Sequence, residues 1–188
     1  MGRAVDDAAG EAFDKFAKLV GLGYPGGPRV DKEARGGDVS AFQFPRALMQ
    51  EGNLNFSFSG LKTAAARQLE KMSEQEISSQ RKNLCASFQE AIVDALIEKL
   101  ARAVKEKKIK RAVLTGGVSA NSRLREKATV WANQNQVQLL IPPLKYCTDN
   151  AAMIGLAGIL RLKSGEISNQ GLSPSPSSTA ESGIQCLN

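Results

Sequence analysis

The sequence predicts an α/β fold that is rich in helix and carries one short pair of parallel strands. Two short β-type runs support this, RAVLT at 111–115 and VQLLIP at 137–142, separated by a helical stretch and flanked by further helices. The order helix, strand, turn, helix, strand, loop, helix is that of an α/β unit with a parallel pair. Two strands make a poor sheet for this much helix, so the pair reads as part of a larger one.

The elements follow in chain order. Residues 7–20, DAAGEAFDKFAKLV, set Ala9, Ala12, Phe13, Phe16, Leu19 and Val20 at helical spacing. Asp6 is placed to cap this helix, and Gly21 or Gly23 to end it. GYPGGP at 23–28 reads as a turn cluster, and residues 29–53 as short helix and loop. NLNFSFSG at 53–60 alternates Leu54, Phe56 and Phe58 with polar neighbours, the pattern of a half-buried extended segment. A short helix follows from Leu61 to about Met72. Ser73 to Glu76 is S-x-x-E, a capping box that opens a long helix through about Lys107. Its apolar stripe runs Ile77, Leu84, Phe88, Ile92, Ala95, Leu96, Leu100, Val104. Between the strands a helix runs from about Ala120 to Asn133, and Pro142 and Pro143 stop the second strand. TDNAAMIGLAGILRLKSG at 148–165 is nearly all apolar and predicts a buried helix. Residues 1–165 thus read as one lobe, and the Ser- and Pro-rich 166–188 as a disordered tail.

Composition removes several classes. The 188 residues are 42% hydrophobic and 23% charged, which fits one globular domain or one lobe of something larger. There is no apolar run of membrane-spanning length, and MGRAVDDAAGEAF lacks the apolar core of a signal peptide. Asp6 stands where a myristoylation signal wants Ser or Thr. Cys85, Cys147 and Cys186 are odd in number and far apart, and read as reduced cytosolic thiols. Histidine is absent, so this chain alone holds no Ser-His-Asp triad and no HExxH site. The net charge is +6, which permits a polyanionic partner such as tRNA without requiring one. Cations bunch in KEKKIKR at 105–111 and again at Arg123, Arg125 and Lys127. A solvated helix end accounts for the first bunch as well as a phosphate contact does.

Four clusters carry candidate chemistry, each with a plainer alternative. In VLTGGVSAN, Gly116 and Gly117 let a backbone approach a nucleotide, the next helix start faces its anionic part, and Asn121 offers an amide. The same residues also make a tight strand-to-helix turn. EAFDK places Glu11, Asp14 and Lys15 on one helix, as a polar site or a solvated face. PGGP at 25–28 with Asp31 is a second close-approach loop with a carboxylate beyond it, or an ordinary turn. CTDN at 147–150 makes Asp149 a hard-cation ligand, or else Thr148 or Asp149 a helix cap.

Taken together, DDAAGEAFDKFAKLVGLGYPGG, FSFSGLKTA, GGVSAN and CTDNAAMI, in this order and spacing, resemble the TsaD family (Kae/Qri, formerly O-sialoglycoprotein endopeptidase) up to about residue 163. The resemblance implies a lobe of the actin-like ATPase and sugar-kinase (ASKHA) fold. It implies transfer of threonylcarbamoyl from threonylcarbamoyl-AMP to the adenosine beside the anticodon of tRNA, in the cytoplasm. It places Asp14, Gly27 and Asn121 at adenylate-binding positions, Asp31 near the ribose and Asp149 as a ligand of a divalent metal, iron or zinc. Gly116 and Gly117 then clear space for the adenylate. TsaB-like and TsaE-like proteins are the implied partners. Family members begin with a lobe carrying a phosphate loop, a His-x-x-x-His motif and Ser-Gly-Gly-His, none of which stands in these 188 residues. The expectation is a C-terminal half that is inactive alone, its other lobe either lost or supplied in trans, with a separate N-terminal lobe or self-association as further partners. A sugar-kinase or acetate-kinase type lobe, and a non-catalytic module binding tRNA or a protein, remain as alternatives.

Overall fold

A computed structural model describes residues 2–47 and 52–167. The chain divides into two compact units, Met1–Asp149 and Asn150–Asn188. The first holds helices α1 (Ala9–Leu19), α2 (Gly26–Glu33), α3 (Ser59–Leu69), α4 (Glu74–Lys107) and α5 (Ser122–Gln134). It also holds strands β1 (Arg111–Val113) and β2 (Gln138–Leu140), which pair in parallel with Ala112 opposite Leu139. α6 (Ala151–Lys163) lies in the second unit. The helix-rich α/β reading with a short parallel pair therefore holds.

The core is built by α1 to α4 with the segment after α2. Phe16 stacks on Phe88 at 3.9 Å between ring centroids, while Phe13 and Phe44 meet Phe88 edge-on. The stripe of α4 is more than a stripe in its middle, because every residue from Leu84 to Val93 is buried. Three of those are polar, and each has a partner as burial demands. Ser87 donates to the Asp38 carbonyl and accepts from Phe42 N, while Gln89 and Glu90 bond to α5. The capping box is formed as expected, with Ser73 Oγ accepting from Glu76 N and Glu76 accepting from Ser73 N.

Several local expectations are corrected. Asp6 does not cap α1, whose N-cap is Ala8. It reaches across the chain to α3, where its carboxylate accepts from Phe58 N, Ser59 N and the hydroxyls of Ser57 and Ser59. Burial raises the Asp6 pKa, but these donors outweigh it and hold the carboxyl below its usual range. α3 accordingly starts at Ser59, two residues before Leu61. PGGP is not a free turn: α2 starts at Gly26, and the missing cap comes from Asp14. Of the alternating segment, Phe58 is fully buried, and Phe56 forms a lone parallel bridge to Ala4. The strands span three residues each, shorter than the runs 111–115 and 137–142. α6 is not buried, and all its described side chains are exposed. A helix that is apolar all round buries itself only against cover, and its own unit supplies none among the described residues. Of the tail expected over 166–188, residues 168–188 lie outside those described.

Candidate active site

Two helix starts and one strand end build the site. β1 runs into Gly116, whose φ of +89° is a conformation that glycine adopts without strain. A 3-10 turn, Gly117–Ala120, follows, closed by Ser119 N donating to the Gly116 carbonyl. α5 then begins, and Asn121 is its N-cap, with Oδ1 accepting from Leu124 N at 2.9 Å. The other end of that amide is also used: Nδ2 donates to Gln89 Oε1 at 2.7 Å, and Asn121 is 6% exposed. The side chain thus serves as a cap anchored to α4.

The second start is that of α2. Asp14 in α1 accepts from Gly26 N at 2.7 Å, satisfying a backbone donor that a Pro-Gly start leaves free. Gly26 is required by packing, because a Cβ there would lie 2.5 Å from Asp14 Cα and 2.6 Å from the Phe13 carbonyl oxygen. Gly27 is different. A Cβ on Gly27, like one on Gly116 or Gly117, would meet nothing within 4 Å. Asp31 lies one turn on from Gly27, on the same helical face. Its Oδ1 accepts from Ser122 N at 3.0 Å and Ser122 Oγ at 2.7 Å, so it ties α2 to the first residue of α5.

Five of the residues singled out in the sequence therefore converge on linked elements. Gly27 and Asp31 sit on one face of α2, and Asp31 bonds the residue after Asn121. Gly116 and Gly117 form the turn before Asn121. Asp14 belongs to the same group through the start of α2, whereas Lys15 pairs instead with Asp7 and Glu11. Asp149 is exposed, and the cap of α6 is Asn150, not Thr148 or Asp149. No group of three metal-capable side chains converges among the described residues.

Three contributors escape a reading of the sequence. Gln89 is visible only as a polar residue inside an apolar stretch. Ser122 is anonymous. Arg125 donates through Nε to the Ser119 carbonyl at 2.7 Å and through the guanidinium to the Pro142 carbonyl and Cys147 Sγ. It therefore joins the glycine turn to the segment leading to Asp149. Its neighbours are also engaged. Arg123 makes a two-pronged pair with Glu90, and Lys127 bonds both Glu90 and Asp94, which also holds Arg46. Arg123 is ion-paired with Glu90 and Glu126, whereas Arg125 has no carboxylate partner among the described residues and spends Nε and Nη2 on two carbonyls and a thiol.

Residues 1–156 match the TsaD family, described as tRNA N6-adenosine threonylcarbamoyltransferase. The chain belongs to the TsaD family. A tRNA N6-adenosine threonylcarbamoyltransferase of Bdellovibrio bacteriovorus is 55% identical over 180 residues, covering 96% of this chain and 52% of the relative. One from Fervidobacterium nodosum is 49% identical over 179 residues, covering 94% and 52%. One from Thermosipho africanus is 47% identical over 176 residues, covering 94% and 53%. This TsaD chain spans about half the length of the curated relatives it matches. Among its described residues no helix is long and apolar enough to cross a membrane.

Proposed function

We propose that the chain supplies the adenylate-binding part of a tRNA N6-adenosine threonylcarbamoyltransferase, as one lobe of an ASKHA-type fold over residues 1–165. The observation that carries this reading is the open backbone over Gly27, Gly116 and Gly117, on elements tied together by Asp31 and Ser122. A bare backbone admits the flat edge of a nucleotide, and backbone N–H groups at a helix start suit a phosphate or a ribose oxygen. Asn121 contributes by fixing where the turn ends and α5 begins.

In the proposed reaction the N6 amine of the tRNA adenosine attacks the carbamoyl carbon of threonylcarbamoyl-AMP. The bond from that carbon to the phosphate oxygen breaks, AMP leaves with the electron pair, and the amine loses its proton. No covalent enzyme nucleophile is needed, which accords with a site of glycines, amide and carboxylates. The chain's part is to hold the AMP end still while the acceptor is aligned. The family resemblance implies iron or zinc at Asp149. One exposed carboxylate with no converging partners among the described residues does not make such a site, so no step is routed through a metal. TsaB-like and TsaE-like partners, a separately supplied N-terminal lobe and a cytoplasmic setting belong to the same proposal. So does a Ser- and Pro-rich tail over 166–188.

The test mixes this chain with the N-terminal half of the Bdellovibrio bacteriovorus relative, threonylcarbamoyl-AMP and unmodified tRNA, and reads the modified nucleoside by mass spectrometry. Modification in the mixture, and in neither half alone, is expected. A mixture as inert as its parts, with both halves folded, points instead to the non-catalytic module.

A further inference from the structure

We infer that a groove at the N-terminal ends of the two strands holds a single-stranded segment of RNA, with phosphates on Lys105 and Lys110 and a base against Trp131. The inference deepens the proposed function by giving the RNA a second point of contact, and it stands on its own observations. The groove has a volume of about 480 Å³ and lies between the C-terminal ends of α4 and α5, with Arg102, Lys105, Ile109, Lys110, Trp131 and Gln136 in its wall. Ile109–Lys110 lead into β1 and Gln136–Val137 into β2, whereas Gly116 follows β1 at its other end. In a parallel pair these are opposite ends of the strands, so this groove is not the glycine site.

The charge here is unneutralised. Residues 105–111 hold five cations against the single carboxylate of Glu106. All seven positions except Ile109 are charged, and all are exposed. Among the described residues none of the five cations is ion-paired, in contrast to Arg123 and Lys127. The one acid in the groove wall, Glu98, faces Arg102 at 3.3 Å. Lysines at a helix C-terminus complement its dipole and need no ligand for that. The groove adds what a solvated helix end lacks. Trp131, the sole tryptophan of the chain, lines it beside the cations. Lys108 and Gln136, both next to or in its wall, hold φ of 52° and 55° and are the only non-glycine residues with positive φ among those described. Glycine adopts that conformation without cost, yet both positions carry long polar side chains. A cationic track beside an aromatic face is how single strands are held without sequence preference, phosphates on the charges and a base on the ring.

The sole tryptophan makes the test direct. The full chain is titrated with oligoadenylate and, separately, with inorganic polyphosphate, reading tryptophan emission and, with labelled RNA, anisotropy. No threonylcarbamoyl-AMP is present, so this result and that of the transfer assay are independent. RNA is expected to bind and to quench Trp131, while polyphosphate binds without quenching. Two phosphate contacts give a log–log salt slope of about −1.4. Trp131→Ala should weaken RNA binding by about 5- to 150-fold, the range for one base stacked on an aromatic ring. Lys105→Glu with Lys110→Glu, both on exposed positions that leave the core untouched, should reduce binding further, and Lys71→Glu after α3 should change nothing. Binding without quenching, equal loss from Lys71→Glu, or unchanged affinity in the double charge reversal would overturn the assignment and leave a solvated helix end.

Discussion

Asn121 commits both ends of its amide inside the protein, and this decides what its loss does. Asn121→Ala removes an N-cap worth about 1 kcal/mol. It also leaves Gln89, buried in α4, without its partner, at about 1–3 kcal/mol. Urea unfolding should show a loss of about 2–4 kcal/mol without any ligand, and a midpoint equal to wild type would refute the cap. The two glycines of PGGP divide in the same way. Gly26→Ala pushes a Cβ into the backbone of α1 and should cost about 1–3 kcal/mol. Gly27→Ala faces open space, so its melting temperature should hold or rise slightly while adenylate binding weakens. Equal destabilisation by the two would remove Gly27 from the site. At this scale the sequence shows which residues matter better than it shows how. Asn before a helix start reads as a cap or a ligand. Only Gln89, 32 positions earlier, shows which, and no local pattern encodes that pair.

Between elements, the join of α4 to α5 rests on charge as well as packing. Leu124, Ala128 and Ala132 form the buried face of α5. Beside them Glu90 is held by Arg123 and Lys127, and Asp94 by Lys127 and Arg46. Burial pushes the Glu90 carboxyl up, but the donors of Arg123 and Lys127 outweigh it and bring it down to about 2. A depressed folded pKa gives stability that is present above the unfolded value, about 4.3, and lost as pH falls toward 2. Chemical denaturation between pH 5 and about 2 should therefore show a stability loss that Glu90→Gln flattens; parallel curves for the two proteins would contradict it. The capping box of α4 was legible because its partners are three residues apart. The start of α2 was not, because Pro-Gly-Gly-Pro is turn chemistry, and its cap arrives from α1, twelve residues away. The pairing of Arg123 was hidden for the same reason: its partner Glu90 lies on another helix and leaves no trace in the local pattern.

Across the molecule, the parallel pair is the feature with most still to explain. Val113 and Leu140, paired in register, are 62% and 65% exposed, and α6 presents Ile154, Leu156, Ile159 and Leu160 to solvent. The sequence predicted a sheet too small for its helices, and the structure has one of two strands. The expected burial of α6 failed because helical periodicity reports which residues are apolar, not what covers them. The site survives this, since the glycine turn, Asn121, Asp31 and the start of α2 all lie in the unit Met1–Asp149 and are tied by hydrogen bonds within it. In the proposed function these elements form an adenylate site. Isothermal titration of the chain with threonylcarbamoyl-AMP, alongside Gly117→Val, tests it most directly. One molecule bound per chain is expected, with at least tenfold weaker binding in Gly117→Val, about 1.4 kcal/mol, and an unchanged melting temperature in the absence of ligand. No heat of binding to the wild-type chain, or equal affinity in a folded Gly117→Val, would contradict it.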